Sequence, residues 1–105
     1  MDEQTLLSVL NDLKNNLGIT WDEEDKDLKP MIKRSESYLQ DLTGTTLDFS
    51  KEEPQKELLL ERCRYVYNHA ADEFETNFAG ALSRLIIKEA VKAKKETEVL
   101  IDGTI

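Results

Sequence analysis

A chain of 105 residues with 34% charged and 7% aromatic residues, four glycines and two prolines supports one soluble, helix-rich domain, and not a β-sandwich or a collagen-like chain. Its size allows a modest core without a large enclosed substrate cavity, and a formal net charge of −8 argues against nonspecific phosphate binding to nucleic acid as the main activity. One cysteine excludes an internal disulfide, no apolar run reaches the roughly 20 residues of a membrane span, and the acidic start MDEQTLLSVL is not that of a secretory signal.

In chain order, residues 3–17 are predicted as a helix, because Leu6, Leu10, Leu13 and Leu17 share one face and Gly18 supplies a stop. Thr20 followed by Glu23 matches a capping box, so a second helix is expected to begin there with Asp22, Glu23 and Glu24 at its positive end. Trp21 is then either a partner anchor or, the preferred reading, a staple to the core. Pro30 cannot sit inside a helix without losing a hydrogen bond, so a kink or restart is expected near Asp27. Met31, Ile32, Ser35, Tyr38, Leu39 and Leu42 form the buried side up to Thr43 and Gly44. Residues 45–50 read as a loop pinned by Leu47 and Phe49.

Ser50 with Glu53 repeats the capping pattern ahead of Pro54, and a long central helix is expected over 51–77. Its core stripe is Leu59, Cys63, Val66, Ala70 and Phe74, widened by Leu60, Tyr67 and Ala71. Ala79-Gly80 marks a kink or a joint. Phe78, Leu82, Leu85, Ile86 and Ala90 line a last helix that fades over 92–98. The segment 99–105 differs in kind: Val99, Leu100, Ile101 and Ile105 make it apolar and too short to bury itself, so it either frays or pairs with another chain. The expected fold is all-α, a bundle of about four helices over 1–98 with a long central helix and an extended C-terminal tail over 99–105.

Chemistry is sparse. His69 is the only histidine and lies six residues from Cys63, a poor spacing for a nucleophile and its base, so Cys63 reads as core. The acidic run 22–27 lacks the central glycine of a calcium loop and has Lys33 where the final glutamate belongs. No phosphate-binding glycine motif occurs. Arg84, Lys88, Lys92 and Lys95 recur at helical spacing and give a positive stripe, without the neighbouring pattern that specific DNA readout requires. This reading contains no enzyme, metal or cofactor. Asp22, Glu23, Glu24 and Asp25 form an acidic face. Both charged patches are solvated surfaces or orient the chain against a partner.

Three stretches carry a resemblance: residues 20–25, Thr-Trp-Asp-Glu-Glu-Asp; residues 38–44, Tyr-Leu-Gln-Asp-Leu-Thr-Gly; and residues 58–75, which contain Cys-Arg-Tyr-Val-Tyr-Asn and Asp-Glu-Phe-Glu. With the helix after them, they make residues 17–95 similar to the small head–tail connector proteins (adaptor or head-completion proteins) of long-tailed bacteriophages and prophages. The resemblance implies a structural virion protein. It would be made in the host cytoplasm and would dock at the head–tail junction as a ring, commonly of twelve copies, beneath the portal after DNA packaging. The ring extends the DNA channel without specific binding and presents a surface to the next connector or tail-completion protein. It further implies that Val99, Leu100, Ile101 and Ile105, with Arg84, Lys88, Lys92 and Lys95, contact the portal or a neighbouring subunit. Asp22, Glu23, Glu24 and Asp25 would then face a partner or the channel. The competing reading from residues alone is a small regulatory module that binds a protein partner, or DNA through the basic stripe.

Overall fold

The computed structural model describes the backbone of residues 1–104 and the side chains of residues 1–96. Five helices follow one another: α1 (Glu3–Leu17), α2 (Asp25–Thr43), α3 (Pro54–Tyr67), α4 (Ala71–Asn77) and α5 (Ala79–Thr104). No strand occurs among the described residues. The chain is all-helical, but the expected four helices are five and the long helix is the last one.

α1 has the predicted limits, each set by local chemistry. The Asp2 carboxylate accepts the Thr5 N–H at 2.8 Å and caps the start. At the end Gly18 takes a left-handed φ of 72°, which lets the Ile19 N–H return to the Lys14 carbonyl at 2.8 Å and sends Ile19 into the core.

α2 begins later than the Thr20–Glu23 pattern implies. Glu24 occupies its N-cap position, and residues 20–24 are a tight connection held by side chains. Nor does the helix restart at Asp27. Pro30 lies inside α2, in its second turn, and both Pro30 and Lys26, whose carbonyl loses that donor, are exposed. Water can replace the missing bond there, which makes the proline tolerable.

The second expected capping box is also absent. Ser50 gives both its N–H and its hydroxyl to the Asp48 carboxylate, at 2.9 and 2.5 Å. A carboxylate two residues upstream closes an Asx turn and takes Ser50 out of competition for the helix end. α3 therefore begins at Pro54, three residues later than the expected 51, where a missing N–H costs nothing.

The predicted central helix 51–77 is broken at residues 68–70. His69 adopts φ 59°, the Ala70 N–H bonds the Tyr65 carbonyl at 2.8 Å, and the His69 N–H bonds the Val66 carbonyl at 3.1 Å. This is a Schellman stop built without glycine. A left-handed non-glycine residue costs about 1–2 kcal/mol. Turning α4 back buries Phe74 completely and stacks it on Phe78 at 5.0 Å, and burying a phenylalanine contributes about 1.5–3 kcal/mol. Burial outweighs the strain.

α1, α2 and α3 pack mutually, and α5 lies against α2, α3 and α4. The core joins Leu6, Val9, Leu10 and Leu13 to Leu28, Ile32, Leu39, Leu58, Leu59, Cys63, Phe74, Leu82 and Leu85, with Leu47 and Phe49 of the loop buried in it. Val66, Ala70 and Ile86 are only half-buried. Residues 99–104, expected as an extended tail, continue α5. The side chains of Val99, Leu100 and Ile101, and all of Ile105, lie outside the described residues. No helix among the described residues is long and apolar enough to cross a membrane.

Candidate interaction surfaces

The described side chains of α5 divide between core and solvent. Leu82 and Leu85 are buried, whereas Arg84, Lys88, Lys92 and Lys95 are all exposed. Ile87 and Val91 emerge among them at 62% and 47% exposure. A groove of about 740 Å3 runs between α3 and α5, lined by Leu58, Leu60, Phe78 and Leu85 and by the charges of Glu57, Glu61, Arg64, Arg84 and Lys88. Arg64 Nη2 and Nε donate to Glu61 at 2.5 and 3.1 Å, so one pair on this rim is already closed. Lys92 sits close enough to Asp48 to help hold that carboxyl below its usual range, after the larger effect of the Ser50 hydrogen bonds.

The acidic face is largely engaged within the chain. Lys14 Nζ bridges Asp22 at 2.6 Å and Asp25 at 2.9 Å, which ties the end of α1 to the start of α2. The hydrogen bonds and charge of Lys14 hold the Asp22 carboxyl below its usual range. Glu24 accepts Trp21 Nε1 at 2.8 Å and the Tyr67 hydroxyl at 3.1 Å, linking this corner to α3. Glu23 and Asp27 are exposed. Trp21 is not a core staple: it is 47% exposed, pinned through its nitrogen with its ring open to solvent.

Two clusters carry no signal in the sequence. Arg62 is half-buried with its guanidinium 3.9 Å above the Tyr38 ring, and its Nη1 donates to the Ala71 carbonyl at 3.2 Å. Tyr38 in turn gives its hydroxyl to Glu75 at 2.6 Å, and burial together with this carboxylate pushes its phenol up to about 12. These contacts fix α4 against α2 and α3. The second cluster is Lys56, which is 4% exposed and bonds Asp12 at 2.7 Å and also Glu52. Neither pairing has a short-range pattern beyond Glu52 and Lys56 one turn apart.

Burial pushes the Cys63 thiol up to about 11, which keeps it neutral in the core at pH 7. His69 is an exposed backbone corner.

Among protein families, the model for phage gp6-like head-tail connector proteins matches residues 8–102, from within α1 nearly to the end of α5. No curated protein and no solved structure matches the chain significantly. With the match running through every helix described above, the chain belongs to the phage gp6-like head-tail connector family.

Proposed function

We propose that this protein is a head–tail adaptor that assembles as a ring on the portal once DNA is packaged and extends the channel toward the tail. The observation that carries the reading is the family match over residues 8–102. The half-covered α5 supports it, since a helix with Ile87 and Val91 exposed among cations is unfinished in a single chain. On this reading the partners are the portal, the next connector or tail-completion protein, and further copies of the chain, commonly twelve in such rings. DNA passes without being held: a chain of net charge −8 repels phosphates overall.

The test is binding of the purified protein to isolated portal rings and to DNA-filled, tail-less heads, read by native mass spectrometry and electron microscopy. Binding at the portal vertex with one copy number per ring is expected. Absence of binding by folded protein would overturn the reading. Deleting 99–105 is expected to leave helical circular dichroism nearly unchanged while lowering ring yield; an unchanged yield removes Val99, Leu100, Ile101 and Ile105 from assembly.

A further inference from the structure

The outward face of α5 is mixed in character. Ile87 and Val91 lie one turn apart and exposed, and Arg84, Lys88 and Lys95 stand beside them, all exposed, with Arg84 and Lys88 on the rim of the α3–α5 groove. Over 84–95 the helix holds five cations against Glu89 alone, a net +4 on a chain of net −8. No ion pair among the described residues uses these cations.

The corner between α1 and α2 is its counterpart. Residues 22–27 hold five carboxylates against Lys26, a net −4 that Lys14 offsets by one. At its centre Trp21 is 47% exposed with its nitrogen already satisfied by Glu24. An aromatic ring fixed in orientation, with a charged rim, is the usual composition of an interface anchor.

We propose that the α5 stripe of one copy docks on the Trp21 corner of the next copy, an inference that rests on the ring reading above. Each surface leaves apolar area exposed, and their charges are opposite in sign and similar in size. Among the described residues no ion pair joins the α5 cations to the carboxylates of residues 22–27 within the chain, which leaves both surfaces open to another copy. A contact between two different patches is heterologous and repeats from copy to copy, which closes into a ring when the rotation allows. Opposed charges set the register and speed the encounter, and the Trp21 ring against Ile87 and Val91 supplies desolvated area.

The test reverses charge on each side at exposed positions outside the Lys14 bridges. Glu23→Lys with Asp27→Lys alters the corner, Lys88→Glu with Arg84→Glu alters the stripe, and a third protein carries all four changes. Each full-length protein is first checked for wild-type helical circular dichroism and melting. It is then assayed for ring formation on portal rings, and separately for self-association of concentrated free protein by chemical crosslinking at low and high salt. Each two-site variant is expected to lose at least tenfold in ring yield and in crosslinked dimer, and the four-site protein to recover both.

Folded two-site variants that assemble like wild type on the portal overturn the interface and leave the adaptor reading standing. A four-site protein that fails to recover overturns it as well. If wild type ignores portal rings yet its crosslinking falls with either reversal and returns with both, the adaptor reading fails and the interface stands. Loss on the stripe side alone, accompanied by salt-sensitive binding of duplex DNA, assigns the stripe to nucleic acid and overturns the interface. Absence of both portal binding and self-association overturns both.

Discussion

Lys56 shows how little a residue type decides without its surroundings. Its stem crosses the interface of α1 and α3, and its ammonium reaches Asp12, 36% exposed, and Glu52, 84% exposed. Because those carboxylates can be rehydrated, the charge is expected to matter less than the stem. Lys56→Ala is expected to cost about 2 kcal/mol and Lys56→Met under about 1 kcal/mol in urea unfolding. Equal losses would show that the ion pairs hold this corner. His69 is a second case, since its left-handed backbone suits glycine. His69→Gly is expected to stabilise the fold by about 1 kcal/mol, reduced somewhat by the greater freedom of glycine in the unfolded chain. That gain raises the melting temperature by about 4–8 °C; no rise would mean that the turn is not strained.

At the scale of elements, the α3–α4 break is maintained by what α4 buries. Phe74 is fully buried against Tyr38, Tyr65 and Phe78, with ring centroids 6.0, 5.7 and 5.0 Å away. Phe74→Ala is expected to cost about 3–5 kcal/mol. Tyr38→Phe removes only the hydroxyl bond to Glu75 and is expected to cost about 1 kcal/mol. Comparable losses in thermal unfolding would mean that the polar network, and not the aromatic cluster, holds α4. The stripe Leu59, Cys63, Val66, Ala70 and Phe74 was legible as a face, but its continuity concealed the turn. An unbroken helix would also have put Phe74 on the side of Cys63, so periodicity could not separate the two arrangements. Leu47 and Phe49 were legible in the loop because two large apolar side chains in a polar stretch have few places to go but the core.

For the whole molecule, titration bounds the stable range on both sides. Asp2, Asp22 and Asp48 have carboxyls held below the usual range, by the Thr5 cap, by Lys14 and by Ser50 respectively. A depressed carboxyl contributes stability above its unfolded value, about 4, and loses it as pH falls through the folded value. Cys63 is raised from 9.0 to about 11 and Tyr38 from 10.0 to about 12, both chiefly by burial. Lys14 and Lys56 are raised by their carboxylate partners. Raised groups contribute stability below their unfolded values and lose it as pH rises through the folded ones. Melting temperature is therefore expected to hold level between about pH 5 and 8.5 and to fall on either side. Cys63→Ala is expected to flatten the fall between pH 9 and 11; an unchanged slope there would mean that the thiol is not shielded.

The all-helical class, the limits of α1 and most of the core were legible from the sequence alone, because these follow from neighbours within a few residues. The sequence also pointed to the connector family, since that resemblance rests on the order of packing patterns, and the family match agrees. Tertiary structure alone decided the later start of α2, the turn at His69, the pairing of Lys56 with Asp12 and the placing of Arg62 over Tyr38. The capping signal at Ser50 was outcompeted by the nearer Asp48 carboxylate. Long-range burial set the rest: a helix turns, or a cation enters the core, when area gained between distant segments exceeds the local cost.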